Sequence, residues 1–74
     1  MDATPHAAAL VRIGQRLAAR RVERGLSQSK LSKLCEVNQG TISTIESGHD
    51  CLLSSLLALL MALDTEPGDF LAAA

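Results

Sequence analysis

The chain has 74 residues and a formal net charge of −1, and its hydrophobic residues, 47% of the total, include a single aromatic, Phe70. That length allows one small domain with a core that is marginal alone, and the dominance of Leu and Ala over β-branched and aromatic residues excludes an extended sheet. MDATPHAAAL at the N-terminus lacks a secretory signal, no apolar run is long enough to cross a membrane, and Cys35 and Cys51 lack CxxC spacing, so a reduced, cytoplasmic protein is expected.

The two thiols read as small buried hydrophobes, because His6 and His49 are poorly placed to complete a metal site with them. Charge is unevenly distributed. All seven basic residues (Arg12, Arg16, Arg20, Arg21, Arg24, Lys30, Lys33) precede residue 35, against Asp2 and Glu23, which gives that half +5. From Cys35 onward, six acids and no Lys or Arg give −6. Such polarity suits a protein that offers one side to phosphates and turns the other away.

Thr4 and Pro5 suit the N-cap and first position of a helix, with residues 1–9 a tail or frayed start and the domain proper at 10–74. Leu10, Ile13 and Leu17 form a buried stripe at helical spacing. Arg21 is next on that stripe, and a charge there requires a partner. Gly25 closes the helix. Ser27 caps a second helix, Gln28 to Cys35, with Leu31, Leu34 and Cys35 inward and Lys30 and Lys33 outward. Lys30 stands where a capping box would have Glu or Gln, so half the box is present. A turn at Glu36–Val37 follows, with Val37 plugging the core. Asn38 caps a third helix that runs to about Glu46, with Ile42 and Ile45 inward. Gln39, Gly40, Ser43 and Thr44 are left on its outer face, and small polar side chains of this kind can read base edges.

Leu52 to Leu63 is apolar almost all round, and a helix of that kind must be covered on every side. The rest of so small a domain covers one side, so a second subunit is expected on the other. The expected dimer surface comprises Leu52, Leu56, Leu59, Leu60, Leu63 and Phe70, although a helix so uniformly apolar does not itself say which leucines face the core. A last short helix runs from Pro67 to about Ala72. Nothing in the chain combines paired carboxylates, a nucleophile with its base, or a phosphate loop, so the protein does not read as an enzyme, and it implies no cofactor and no metal.

The run Gly25-Leu26-Ser27-Gln28, then Leu31, Cys35, Val37, Asn38-Gln39, Thr41-Ile42-Ser43, Ile45-Glu46 and Gly48, resembles the helix-turn-helix proteins of the lambda-repressor and Cro type (XRE family). The likeness extends from about residue 10 to residue 71. It implies an all-α, compact five-helix DNA-binding domain with the helix-turn-helix at about 27–46. It also implies a homodimer that binds a palindromic operator through the major groove, with half-sites one helical turn (~34 Å) apart. By the same resemblance Gln39, Gly40 and Thr44 face bases, with Ser43 close by. Gln28 bonds a phosphate with help from backbone N–H groups at its helix end. Arg16, Asn38, Thr41, Ser47 and His49 lie along the sugar-phosphate backbone, and Arg21 with Glu46 forms a buried ion pair.

This sequence departs from the family pattern at three points. Glu36 stands where the family often has Gly in a left-handed turn, at a cost of ~1 kcal/mol. Gly40 costs the recognition helix a similar ~1 kcal/mol and offers no side chain to a base. No Arg or Lys lies on that helix, so Gln39 is expected to carry most direct readout, at adenine, with DNA shape supplying the rest. The expected function is sequence-specific transcriptional regulation, as a repressor, with double-stranded operator DNA and a second copy as partners and no membrane. The alternative is the antitoxin of a toxin–antitoxin pair, binding a toxin and repressing its own operon; short tails leave little chain to wrap a toxin.

Overall fold

Local capping chemistry sets most helix boundaries in the computed structural model, which describes residues 6–73. The five helices are α1 (Ala7–Glu23), α2 (Gln28–Cys35), α3 (Gln39–Glu46), α4 (Leu53–Ala62) and α5 (Pro67–Ala73). The expected start at Thr4 and Pro5 lies outside the described residues. Gly25, at φ +70°, ends the first helix in the left-handed region. Ser27 Oγ accepts the Lys30 N–H at 3.1 Å, and Asn38 Oδ1 accepts the Gly40 N–H at 2.6 Å. Each cap satisfies a donor that the helix cannot, worth about 1 kcal/mol. Glu36 takes φ 58° as expected, and Asp64 takes φ 53°, a second left-handed residue with no glycine to mark it in the sequence.

The core consists of Leu17, Leu31, Ile42, Ile45, Leu56, Leu59, Leu60, Leu63 and Phe70, with Ile13, Leu26, Cys35, Val37, Cys51 and Ala62 packed around it. This arrangement corrects three expectations. Leu34 does not face inward: it is 62% exposed, while Leu31 one turn earlier is fully buried. Cys35 and Cys51 are half-buried free thiols at the rim of the core. The dimer surface was expected at Leu56, Leu59, Leu60, Leu63 and Phe70, but these fill the protomer's own core and have no surface to offer a partner. Leu52 remains exposed, but it is not part of the α4 stripe that does reach solvent. That stripe is Leu53, Leu57 and Met61, four residues apart and therefore on one helix face.

Helix α1 packs on α3, and α2 packs on both α3 and α4. The α1–α3 seam depends on a residue that no stripe argument singled out, the buried Gly14. A Cβ there would sit 2.3 Å from the Ile45 carbonyl oxygen and 3.0 Å from that of Glu46. Two backbones therefore touch where any side chain would separate them. One turn earlier on the same face, Val11 meets Gly48 as the chain leaves α3.

An exposed Gly→Ala change inside a helix stabilises by up to about 1 kcal/mol. Here Gly14→Ala must move a backbone carbonyl, so it is expected to destabilise by about 1–3 kcal/mol. Urea unfolding checks this; a rise in midpoint would contradict the close approach.

Candidate nucleic-acid interface

The orientation of α3 is set by its last turn. Arg21, seven residues after Gly14 and on the same face of α1, donates from Nε to Glu46 Oε2 at 2.7 Å and from Nη2 to Glu46 Oε1 at 2.9 Å. Its third nitrogen, Nη1, donates to the Leu26 carbonyl at 2.8 Å, fixing the α1–α2 turn. Gln28 Nε2 donates to Glu46 Oε1 at 3.0 Å, which ties in the start of α2. The pair is the partnership expected for a charge on the buried stripe, with side-chain exposures of 14% for Arg21 and 7% for Glu46. The hydrogen bond to Glu46 raises the Arg21 pKa further, against its desolvation. Burial pushes the Glu46 carboxyl up, but the bonds from Arg21 and Gln28 and the Arg21 charge outweigh this, leaving it below the ordinary glutamate value.

With its inner face fixed, α3 turns Gln39, Gly40, Ser43 and Thr44 to solvent together. Gln39 is the first helical residue, and Ser43 and then Ser47 follow one and two turns on. Gly40 and Thr44 form the adjacent row, joined by a 2.8 Å bond from Thr44 Oγ1 to the Gly40 carbonyl. That bond uses the hydroxyl hydrogen, so Thr44 can offer a base only acceptor lone pairs and a methyl group. Asn38 Oδ1 is occupied by the cap, which leaves its NH₂ group to donate outward. Thr41 is half-buried, while Ser47 and His49 are exposed beyond the end of α3. Gln28 is half-buried, and one hydrogen of its amide NH₂ is given to Glu46, which leaves the second to donate to a phosphate.

Arg16 is not on this side of the molecule, which corrects its assignment to the DNA backbone. It lies two residues, about 200° around the helix, from the α3-facing Gly14. Its guanidinium sits 5.4 Å from the Phe70 ring centroid, in a cation–π contact. Neighbouring arginines point the same way: Arg20 Nε donates to Thr65 Oγ1 at 2.9 Å, and Arg24 lies 3.8 Å from Asp64. Several arginines of the basic first half are thus engaged by other residues: Arg21 and Arg24 meet acids of the second half, Arg20 meets Thr65 and Glu23, and Arg16 lies over Phe70. The outer face of α3 itself is uncharged; Lys30 and Lys33 are exposed on neighbouring α2.

Sequence reasoning missed two elements here. Gly14 carried a signal, a glycine inside a helix one heptad before a charge on the buried stripe. The other is a groove alongside α3, bounded by Asp50, Leu52 and Ser55, for which the sequence held no signal. Among the described residues no group of three His, Cys, Asp or Glu side chains is placed to hold a metal ion, and no helix is long and apolar enough to cross a membrane.

Comparison with known proteins converges on the same unit. The profile of a helix-turn-helix domain family matches residues 12–73. The restriction-modification controller protein C.AhdI from Aeromonas hydrophila is similar over 85% of this chain and 97% of its own, at 38% identity and a TM-score of 0.79. The wild-type restriction-modification controller protein C.Esp1396I shares the fold at 22% identity, over 86% of this chain and 84% of its own, with a TM-score of 0.76. No curated protein sequence matches.

Because the folded state holds the Glu46 pKa down, its contribution to stability is present above the ordinary glutamate range and is lost as pH falls through that range and below it. Glu46→Gln is expected to flatten the acid side of the stability–pH curve and to lower stability at pH 7. Chemical unfolding between pH 3 and pH 7 measures both; parallel curves for the two proteins would contradict the assignment.

Proposed function

The chain belongs to the helix-turn-helix family of DNA-binding transcriptional regulators, and from that premise we propose that it represses transcription as a homodimer on a palindromic operator. Each protomer lays α3 in a major groove, and the two-fold axis of the protein matches that of the DNA. The observation that carries this reading is the outer face of α3, where Gln39, Gly40, Ser43 and Thr44 stand exposed and uncharged on a helix clamped from behind. Gln39 offers a donor and an acceptor that match the N7 and N6 of adenine. Asn38, Thr41, Ser47 and His49 flank it toward the sugar-phosphate backbone.

The similarity to C.AhdI favours a role as a restriction-modification controller over the antitoxin reading. Such a regulator works in the cytoplasm beside its DNA, and its own concentration sets its occupancy. Dimerisation falls to the solvent-facing stripe Leu53, Leu57 and Met61, with the neighbouring exposed Leu71. Exposed leucines and a methionine in one row are an apolar patch that a monomer would leave in water.

A duplex selected by the protein from random sequence tests the reading by mobility shift. Gln39→Ala is expected to reduce discrimination at one base pair per half-site by about 1–3 kcal/mol, with weak non-specific binding kept. An unchanged footprint and base preference would contradict the role of Gln39. Sedimentation is expected to show a dimer for the parent chain and a folded monomer for Leu57→Asp; a stable parent monomer at micromolar concentration would remove the dimer.

A further inference from the structure

A groove beside α3 shares Gly40, Thr41 and Thr44 with the proposed reading face and has a second wall, Asp50, Leu52 and Ser55, to which no role has been given. It is a shallow, open depression of about 480 Å³ between the outer face of α3 and the start of α4, lined in part by these six residues. Its chemistry differs from that of a phosphate site. No Lys or Arg lines it, and the Asp50 carboxylate is held at its edge by the Cys51 N–H at 2.8 Å. That charge repels a phosphate and accepts from an amino group on a base. Leu52, the first residue at the α4 end, is 73% exposed, a large apolar side chain standing in water beside a polar reading face. Gly40 adds nothing to the floor; a Cβ there would meet only Asn38 Oδ1, at 3.0 Å, so the groove is open to the backbone. Thr44 has already given its hydroxyl hydrogen to Gly40.

An apolar wall and an open floor fit a base edge that carries a methyl group, while the acceptors at the rim suit an amino group beside it, the N4 of a methylated cytosine or the N6 of the adenine paired with thymine, and not thymine O4, which is itself an acceptor. In the major groove the unmodified bases display one such group, the 5-methyl of thymine, and cytosine acquires it on C5-methylation. We propose that this groove reads a pyrimidine 5-methyl group, with Leu52 as a specificity-determining residue outside the recognition helix. The proposal deepens the operator reading and rests on α3 lying in the major groove.

The probe is a duplex selected from random sequence by the parent chain, with each thymine then replaced singly by uracil. At one position per half-site, removing the methyl is expected to weaken binding about four-fold, the effect of exposing one buried carbon. Leu52→Ala, at an exposed position where folding is not at stake, is expected to bind the thymine and uracil duplexes alike. A cytosine placed at that position is expected to bind the parent chain better once 5-methylated, and Leu52→Ala not to distinguish the two. If uracil weakens binding but 5-methylcytosine gives no gain over cytosine, the groove is assigned to thymine alone. Indifference to uracil at every position, or full discrimination kept by Leu52→Ala, would overturn the methyl assignment while leaving the operator reading intact. Failure to select any preferred sequence would overturn both.

Discussion

The end of α3 is held against α1 by one charge pair and one missing side chain, and the rest of the domain is arranged around that junction. Gly14 lets the Ile45 and Glu46 carbonyls reach the α1 backbone, and seven residues later Arg21 closes on the Glu46 carboxylate with two hydrogen bonds. The third bond from Arg21, to Leu26, and the bond from Gln28 to Glu46 bring the turn and α2 into the same network. Lysine could not substitute, since a single ammonium lacks the planar fork that spans a carboxylate and a carbonyl together. Helix caps here are each worth about 1 kcal/mol, whereas stranding one partner of a buried pair costs ~3–5 kcal/mol. The pair therefore outweighs local propensity in deciding where α3 sits.

Fixing α3 from behind leaves its front free of structural duty, and the front is uncharged. The arginines that looked available for phosphates are occupied on the far side of α1, over Phe70 and against Thr65 and Asp64. On the proposed operator reading, a DNA face with few cations has a small counterion-release term, and sequence discrimination is expected to contribute a larger share of binding. In the proposed dimer, simultaneous engagement of two such faces is expected to supply what each lacks alone.

Much of the fold was legible in the residues. Ser27 and Asn38 cap the helices that their positions announced, and the stripe showed that Arg21 needs a partner; Glu46 as that partner and the left-handed turn at Glu36 came from the family resemblance. What was not legible follows from the same physics. A run of leucines around α4 carries no periodicity, so it could not say that Leu56, Leu59, Leu60 and Leu63 fill the core while Leu53, Leu57 and Met61 face out. A count of charge along the chain does not say which way a helix turns its arginines, and α1 turns Arg16 toward Phe70. The groove beside α3 arises from the meeting of two elements, Gly40 on one and Leu52 on the other, and no linear pattern connects them.

The central claim is that the Arg21–Glu46 pair positions the recognition helix as well as stabilising the domain. A double-mutant cycle with Arg21→Met and Glu46→Met, read by both urea unfolding and affinity for a selected duplex, tests it most directly. Each single change is expected to destabilise by about 3 kcal/mol and to weaken DNA binding, while the double variant recovers much of the stability because no charge is left stranded. Recovery of stability without recovery of DNA affinity is the expected signature of a positioning role. Additive losses in stability, or full DNA affinity in either folded single variant, would contradict it.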